Sequence, residues 1–373
     1  MNEDGNETLT PSRPRRWRRA LLAVVLVYLC IEAVSWIVFR VGLRVHVRQA
    51  VADIRGPDAQ PMGPDRLIPH PYSLIQLKPG HTDSSGVRQV NALGWRGRET
   101  SFGRPEGFRR VVCVGGGTTY GLGVQQPAEA YPARLETVLR ERAGGGPIEV
   151  LNCGIPWASS AELFGTVAFR VIHHQPDLIV MQVGLEDVNP LLADGYQIDY
   201  THWRKSWVAP SYGRRTRRLL ISPLYRLVFA GFVLPDGIDL RFQYRPDPSW
   251  DDPAVKEVPP RDPAGFRNNV ENILSITVGR GIPVLLVTEW TRRPFPCVDW
   301  ALTADREVLE TLGRKFGVPV CRLDAEDLPA DSWADDFHLT ALGNERKAEI
   351  IAGEVVRHRL LPRQPGAASR PAP

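Results

Sequence analysis

Residues 109–123 read Arg-Arg-Val-Val-Cys-Val-Gly-Gly-Gly-Thr-Thr-Tyr-Gly-Leu-Gly, and no other stretch restricts the fold as much. Val111 to Val114 is apolar and β-branched, the composition of a strand buried on both faces of a parallel sheet. Three glycines follow at once, so the strand ends in a tight turn. Tyr131, Leu135, Val138 and Leu139 then recur at helical spacing and predict a helix over 131–142. Such strand–turn–helix units place their turns at the carboxyl edge of open α/β sheets, where ligands and catalytic groups collect. Gly115, Gly117 and Gly121 miss the Gly-x-Gly-x-x-Gly spacing of a dinucleotide loop, and no Gly-Lys-Ser/Thr follows for a Walker loop. A turn presenting a hydroxyl beside backbone N–H groups and a plain structural turn both stay open.

Strands and helices alternate from residue 109 to 360, which predicts a parallel sheet covered on both faces. The further strands fall at 148–151, 178–183, 284–288 and 318–323. Helices follow at 159–174, 266–280, 304–316 and 340–358, the first opened by a Ser159/Glu162 capping box. Residues 40–108 read as linker and extension, with a Pro-rich stretch at 56–71 and a β-hairpin of 72–77 with 87–90 leaning on the sheet edge. Residues 361–373 form a Pro/Ala tail.

Residues 20–39 are almost wholly apolar, with Glu32 the one charge, and at ~1.5 Å per residue they match a bilayer core. We read an uncleaved transmembrane anchor behind a basic, cytoplasmic segment 1–19, with the main domain extracytoplasmic (periplasmic). An insertion at 189–265 carries Arg214, Arg215, Arg217 and Arg218, then a Pro-broken apolar run at 219–234. That run is too short to cross a membrane comfortably; a helix on the membrane surface or one capping the cleft fits better. Its arginines suit lipid phosphates, an anionic glycan or plain solvent. A net charge of +4, without basic modules interleaved with aromatics, argues against nucleic-acid binding. The five cysteines show no metal-type spacing, although Cys297 and Cys321 could pair in an oxidising compartment.

Four segments fall at or after strand ends: 115–120, Asn152-Cys-Gly154, Gly184-Leu-Glu-Asp187 and Asp335-Asp-Phe-His-Leu-Thr340. An acid three residues before a His can hold its Nδ1–H and leave Nε2 for chemistry. Together these residues resemble the SGNH/GDSL hydrolase family. The resemblance spans roughly residues 69–360, and Asn91-Ala-Leu-Gly-Trp-Arg-Gly97 is similar to the entry motif of membrane-anchored bacterial members.

The resemblance implies a flavodoxin-like, three-layer α/β/α domain with a five-stranded parallel sheet. It also implies ester hydrolysis or acyl transfer, here on acylated envelope glycans, with no cofactor and no metal. His338 and Asp335 would be catalytic, with Gly154 in the oxyanion pocket. Two positions depart from the pattern. Gly117 stands where the nucleophilic Ser belongs, and Glu186 replaces the Asn that would donate to the oxyanion. Thr118 is the adjacent hydroxyl. Losing a serine nucleophile costs on the order of 10⁶ in rate, and losing one oxyanion donor about 10²–10³. The expectation is an impaired hydrolase. The alternatives are a glycan- or lipid-binding assembly protein and a noncovalent hydrolase using water activated by His338.

Overall fold

The computed structural model describes residues 14–42, 66–70, 72–142, 146–193, 195–203, 218–230, 258–293 and 296–361. The chain divides into two compact units, residues 1–62 with 208–244, and residues 63–207 with 245–373.

In the second unit, the hairpin pairs β1 (Leu67–His70) antiparallel with β2 (Leu74–Leu77) as a separate two-stranded sheet. Its first strand therefore comes from the stretch read as Pro-rich linker. Residues 87–90 form only isolated bridges, Thr82 with Arg88 and Val90 with Arg96. It is Arg96, through a bridge to Asn152, that leans on the main sheet.

That sheet contains β3 (Arg109–Gly115), β4 (Ile148–Gly154), β5 (Leu178–Gln182), β6 (Val284–Val287) and β7 (Val320–Cys321). All pairings are parallel, in the spatial order β4-β3-β5-β6-β7. This is the flavodoxin-like order, whose direction reverses beside β3. The covering helices are α2 (Tyr131–Arg142), α3 (Ser160–Phe169), α4 (Ala264–Gly279), α5 (Pro296–Phe316) and α6 (Ala341–Arg357). The capping box at the start of α3 is present, Ser159 N–H donating to Glu162 Oε2 at 2.7 Å.

Strand alternation explains the continuous apolar run that marks β3. Val112 and Val114 pack with Leu163, Val270, Ile273 and Leu309, while Val111 and Cys113 pack with Leu135, Leu139, Ile351 and Val355. Both faces are dry, and each fully buried Val or Leu contributes roughly 1.5–3 kcal/mol relative to exposure. Of the two arginines that open the strand, Arg110 is the fully buried one. Its Nε donates to Glu149 Oε2 at 2.8 Å, and its Nη1 holds the carbonyls of Phe102 and His174, each at 2.8 Å.

The first unit contains α1 (Pro14–Ile37), and Trp17–Gly42 is a helix long and apolar enough to cross a membrane. The described middle of the insertion, residues 218–230, packs on α1. Phe39, Leu220 and Phe229 bury one another. The Glu32 carboxylate accepts Ser222 Oγ–H at 2.5 Å and Leu224 N–H at 3.0 Å, answering the short helix Pro223–Val228 at its start. Arg214, Arg215 and Arg217 lie outside the described residues, as does the Cys297 side chain; Cys321 is a buried free thiol.

Candidate active site

Each strand of the sheet's middle ends on a residue of one cluster: Gly115 to Thr119 after β3, Gln182 to Glu186 after β5, Thr288 and Glu289 after β6. The loop before α6 closes it with Asp335 and His338. Asp335 Oδ1 accepts the N–H groups of Phe337 and His338 at 2.8 and 2.7 Å, and its Oδ2 lies 2.7 Å from His338 Nδ1. A carboxylate only accepts, so Nδ1 carries the proton and Nε2 presents its lone pair. Burial pushes Asp335 up, but the N–H groups of Phe337 and His338 and the imidazole outweigh it and hold this carboxyl below its ordinary value.

His338 Nε2 faces the first glycine turn. A Cβ built on Gly117 would lie 3.3 Å from Nε2, and 2.9 Å from Leu122 Cδ1. That spacing suits a hydroxyl on residue 117, and glycine supplies none. Thr118 is turned elsewhere, its Oγ1 lying 3.3 Å from both Glu289 carboxylate oxygens. The cleft shared by Leu122, Glu289, His338 and Lys347 measures about 10 Å³. One water needs roughly 10–15 Å³, whereas small-molecule sites run to hundreds of Å³.

Glu186 fills the space on the other side of the turn. Its Oε1 accepts the Gly117 N–H at 2.5 Å, and a Cβ on Gly116 would fall within 2.2 Å of its carboxylate. Only glycine at 116 leaves room for this side chain. Burial first, then the Glu289 charge, pushes Glu186 well above the usual carboxylate range. Burial also raises Glu289 to about 7, against the pull of Lys347. Lys347, 1% exposed, donates to Gln182 Oε1 and, at 3.3 Å, to Thr118 O; desolvation lowers it to about 8. Gln182 Nε2 in turn donates to Glu289 Oε2 at 2.8 Å.

Gly154 lies against the turn at Tyr120. Its N–H is donated to Asn152 Oδ1 at 3.0 Å, and a Cβ there would run into Tyr120 N at 2.2 Å. It is a packing glycine under the turn. Trp157, three residues on, holds a φ of 64°, strained for a large side chain and of the kind that gathers at functional sites. Asp187 ties elements together: it accepts Ser160 Oγ–H at 2.5 Å and Tyr200 O–H at 2.9 Å, at the first residue of α3. Arg96 of the entry motif steadies the turn, its Nη1 reaching the carbonyls of Tyr120 and Gly121 at 2.8 Å each.

Glu289 and Lys347 were not singled out in the sequence. Glu289 had a signal, a charge directly after an apolar strand at the edge where ligands gather. Lys347 had none, since a lysine inside a terminal helix ordinarily faces water. Among the described residues, no three His, Cys, Asp or Glu side chains form a metal-holding group.

Residues 113–346 match the GDSL-like Lipase/Acylhydrolase family. No curated protein sequence matches the chain. Among solved structures, the lipase/acylhydrolase of Enterococcus faecalis is similar at 17% identity and a TM-score of 0.42, covering 69% of this chain and 100% of that one. The acetyl xylan esterase AlAXEase is similar at 14% identity and a TM-score of 0.39, covering 66% and 99%. A variant of the acetyl xylan esterase Axe2 from Geobacillus stearothermophilus is similar at 13% identity and a TM-score of 0.40, covering 66% and 94%. With the family match running over well more than half its length, the chain belongs to the GDSL-like lipase/acylhydrolase family, a lineage of esterase-type hydrolases.

Proposed function

We propose that this protein is a membrane-anchored member of the family in which serine-based ester hydrolysis has been lost. Its domain stands outside the cytoplasmic membrane, where its ligand class is an acylated glycan of the envelope. One observation carries the reading: His338 Nε2 lies 3.3 Å from where a Cβ of residue 117 would be, and that residue is glycine. The proton acceptor and its carboxylate partner are in place, and the attacking atom is missing. Glu186 adds to this, because its carboxyl occupies the Gly117 N–H that an oxyanion would need. Anchoring is supported by the Trp17–Gly42 helix, and the orientation by the arginines at 13, 15, 16, 18 and 19 ahead of the apolar run at 20–39.

The full-length protein in detergent is assayed with p-nitrophenyl acetate and a fluorophosphonate probe. Negligible turnover and no labelling are expected. Labelling at Thr118 would overturn the reading, and turnover abolished by His338→Ala would replace it with a water-based hydrolase. Glycan binding that survives His338→Ala is expected of a ligand held outside the His338 cleft, which has room for about one water.

A further inference from the structure

Helix α1 carries its own measure of depth. Trp17 and Trp36 stand nineteen residues apart on it, about 28 Å at ~1.5 Å per residue, and both rings are exposed. That matches the thickness of a bilayer core, whose two boundaries tryptophan favours. The Arg40 guanidinium lies over the Trp36 ring, 5.6 Å from its centroid, and puts a cation at the same level. On the anchored reading, Trp36 therefore marks the boundary at the carboxyl end of α1, and Glu32 lies one turn inside it. A carboxylate at that depth needs donors from protein, because acyl chains offer none. Tyr28 O–H supplies one at 2.5 Å from within α1. Residues 218–230 supply the others, Ser222 Oγ–H and Leu224 N–H.

Those bonds fix the level of residues 218–230 against α1. Leu220 and Phe229 are spent on the contact with Phe39, yet Leu219, Ile221 and Val228 stay exposed, Ile221 by 64%. At the level of Glu32 to Phe39, the surroundings of a membrane-crossing α1 are lipid. The basic residues fit the same place. Arg226 folds back on the carbonyls of Leu220 and Ile221 at 2.6 and 2.9 Å, beside the Phe39 ring. In the sequence, Arg214, Arg215, Arg217 and Arg218 lead into the segment. Bare apolar side chains bordered by arginines are what an interfacial element needs, because such elements sink about 5–10 Å into the headgroup–acyl boundary and pair their cations with phosphates.

We propose that residues 218–230 are a second membrane contact, an interfacial segment docked on α1 that puts Leu219, Ile221 and Val228 among the acyl chains of the bilayer. The inference rests on the anchored reading of α1 and goes beyond it. An apolar helix of that length would hold the protein in a membrane whether or not the insertion touched lipid.

The test is fluorescence quenching of the full-length protein in vesicles of phosphatidylcholine and phosphatidylglycerol. In a Cys30→Ser, Cys297→Ser background, bimane is attached to Val27→Cys, Ile221→Cys or Val228→Cys; Cys113, Cys153 and Cys321 are buried. The quenchers are lipids with a nitroxide near the headgroup end of the acyl chain, lipids with one near the chain terminus, and iodide in the water. Bimane at 221 and 228 should lose more fluorescence to the nitroxide near the headgroup than to the deeper one, and little to iodide. Bimane at 27, midway between Trp17 and Trp36, should lose most to the deeper one. Circular dichroism checks each fold, and Leu219→Cys replaces whichever of 221 and 228 disturbs it. Should lipid quench position 27 while 221 and 228 stay open to iodide, this proposal alone is overturned. It is overturned too if 221 and 228 are shielded from iodide yet quenched by neither lipid, because protein then covers them. A position 27 that no lipid quenches contradicts the anchored reading itself, and this proposal with it.

Discussion

Glu186 Oε1 accepts the Gly117 N–H at 2.5 Å, so a carboxyl of the protein's own already sits on the backbone donor beside His338. Glu186 and Gly117 depart from the family pattern together, and Gly116 is the residue that lets them meet. On the proposed reading, two changes are needed to recover an acyl-cleaving site. Glu186→Asn alone frees the donor but adds no nucleophile, so p-nitrophenyl acetate turnover should stay at background. Added to Gly117→Ser, it should raise turnover by about 10²-fold over Gly117→Ser alone, the worth of one oxyanion donor. Initial rates of the three variants check this.

Stability should fall as pH rises through the range where Glu289 stays protonated only in the folded protein. Its folded value is about 7 and its ordinary value 4.5, so between these the unfolded chain binds fewer protons. Below 4.5 the two states are equally protonated, and above 7 the folded protein bears the full cost of a buried charge. Lys347 works in the opposite sense: its folded value of about 8 against 10.5 makes stability rise again between those limits. Asp187, also held at about 7, acts in the same direction, so melting temperature should decline from pH 4.5 to 7 and Glu289→Gln should lessen that decline.

Arg110→Met should destabilise the domain by about 3–5 kcal/mol, because it leaves Glu149 buried without its cation. The side chain is fully buried and also holds the carbonyls of residues 101–103 and 174. Urea denaturation measures the loss. Charge removal at the exposed Arg88–Glu99 pair should change stability by under about 1 kcal/mol.

Much of this was legible in the sequence. The run from Val111 to Val114 could only be a strand with two buried faces, and the order of helices and strands then fixed a parallel sheet. The Asp335/His338 spacing places a carboxylate on Nδ1 because three residues of tight loop bring them together. The hairpin partner was misplaced because Leu67–His70 contains Pro69 and follows a Pro-rich stretch, while its register is set by contacts distant in sequence. What Gly154 packs against was equally hidden, because only the folded chain sets Tyr120 N against it. Glu289 and Lys347 escaped notice because their pairing through Gln182 exists only in the folded sheet.

Glu32→Ala should loosen residues 218–230 from α1 without releasing the protein from membranes. Its carboxylate holds Ser222 and the Leu224 N–H, whereas on the proposed anchored reading membrane retention would rest on the apolar length of Trp17–Gly42. Faster protease cleavage within the insertion, with unchanged resistance to carbonate extraction, is the expected pair of results.

The most direct measurement is fluorophosphonate labelling of the wild type beside Gly117→Ser, with the modified residue located by mass spectrometry. A serine at 117 needs only a shift of the Leu122 side-chain end, 2.9 Å from the new Cβ, to bring its hydroxyl within reach of His338. An unlabelled wild type and a variant labelled at residue 117 are expected. A wild type labelled at any residue of this cleft, or a folded Gly117→Ser that stays unlabelled with Glu186→Asn also in place, would contradict a site lacking only its attacking atom and the donor that Glu186 occupies.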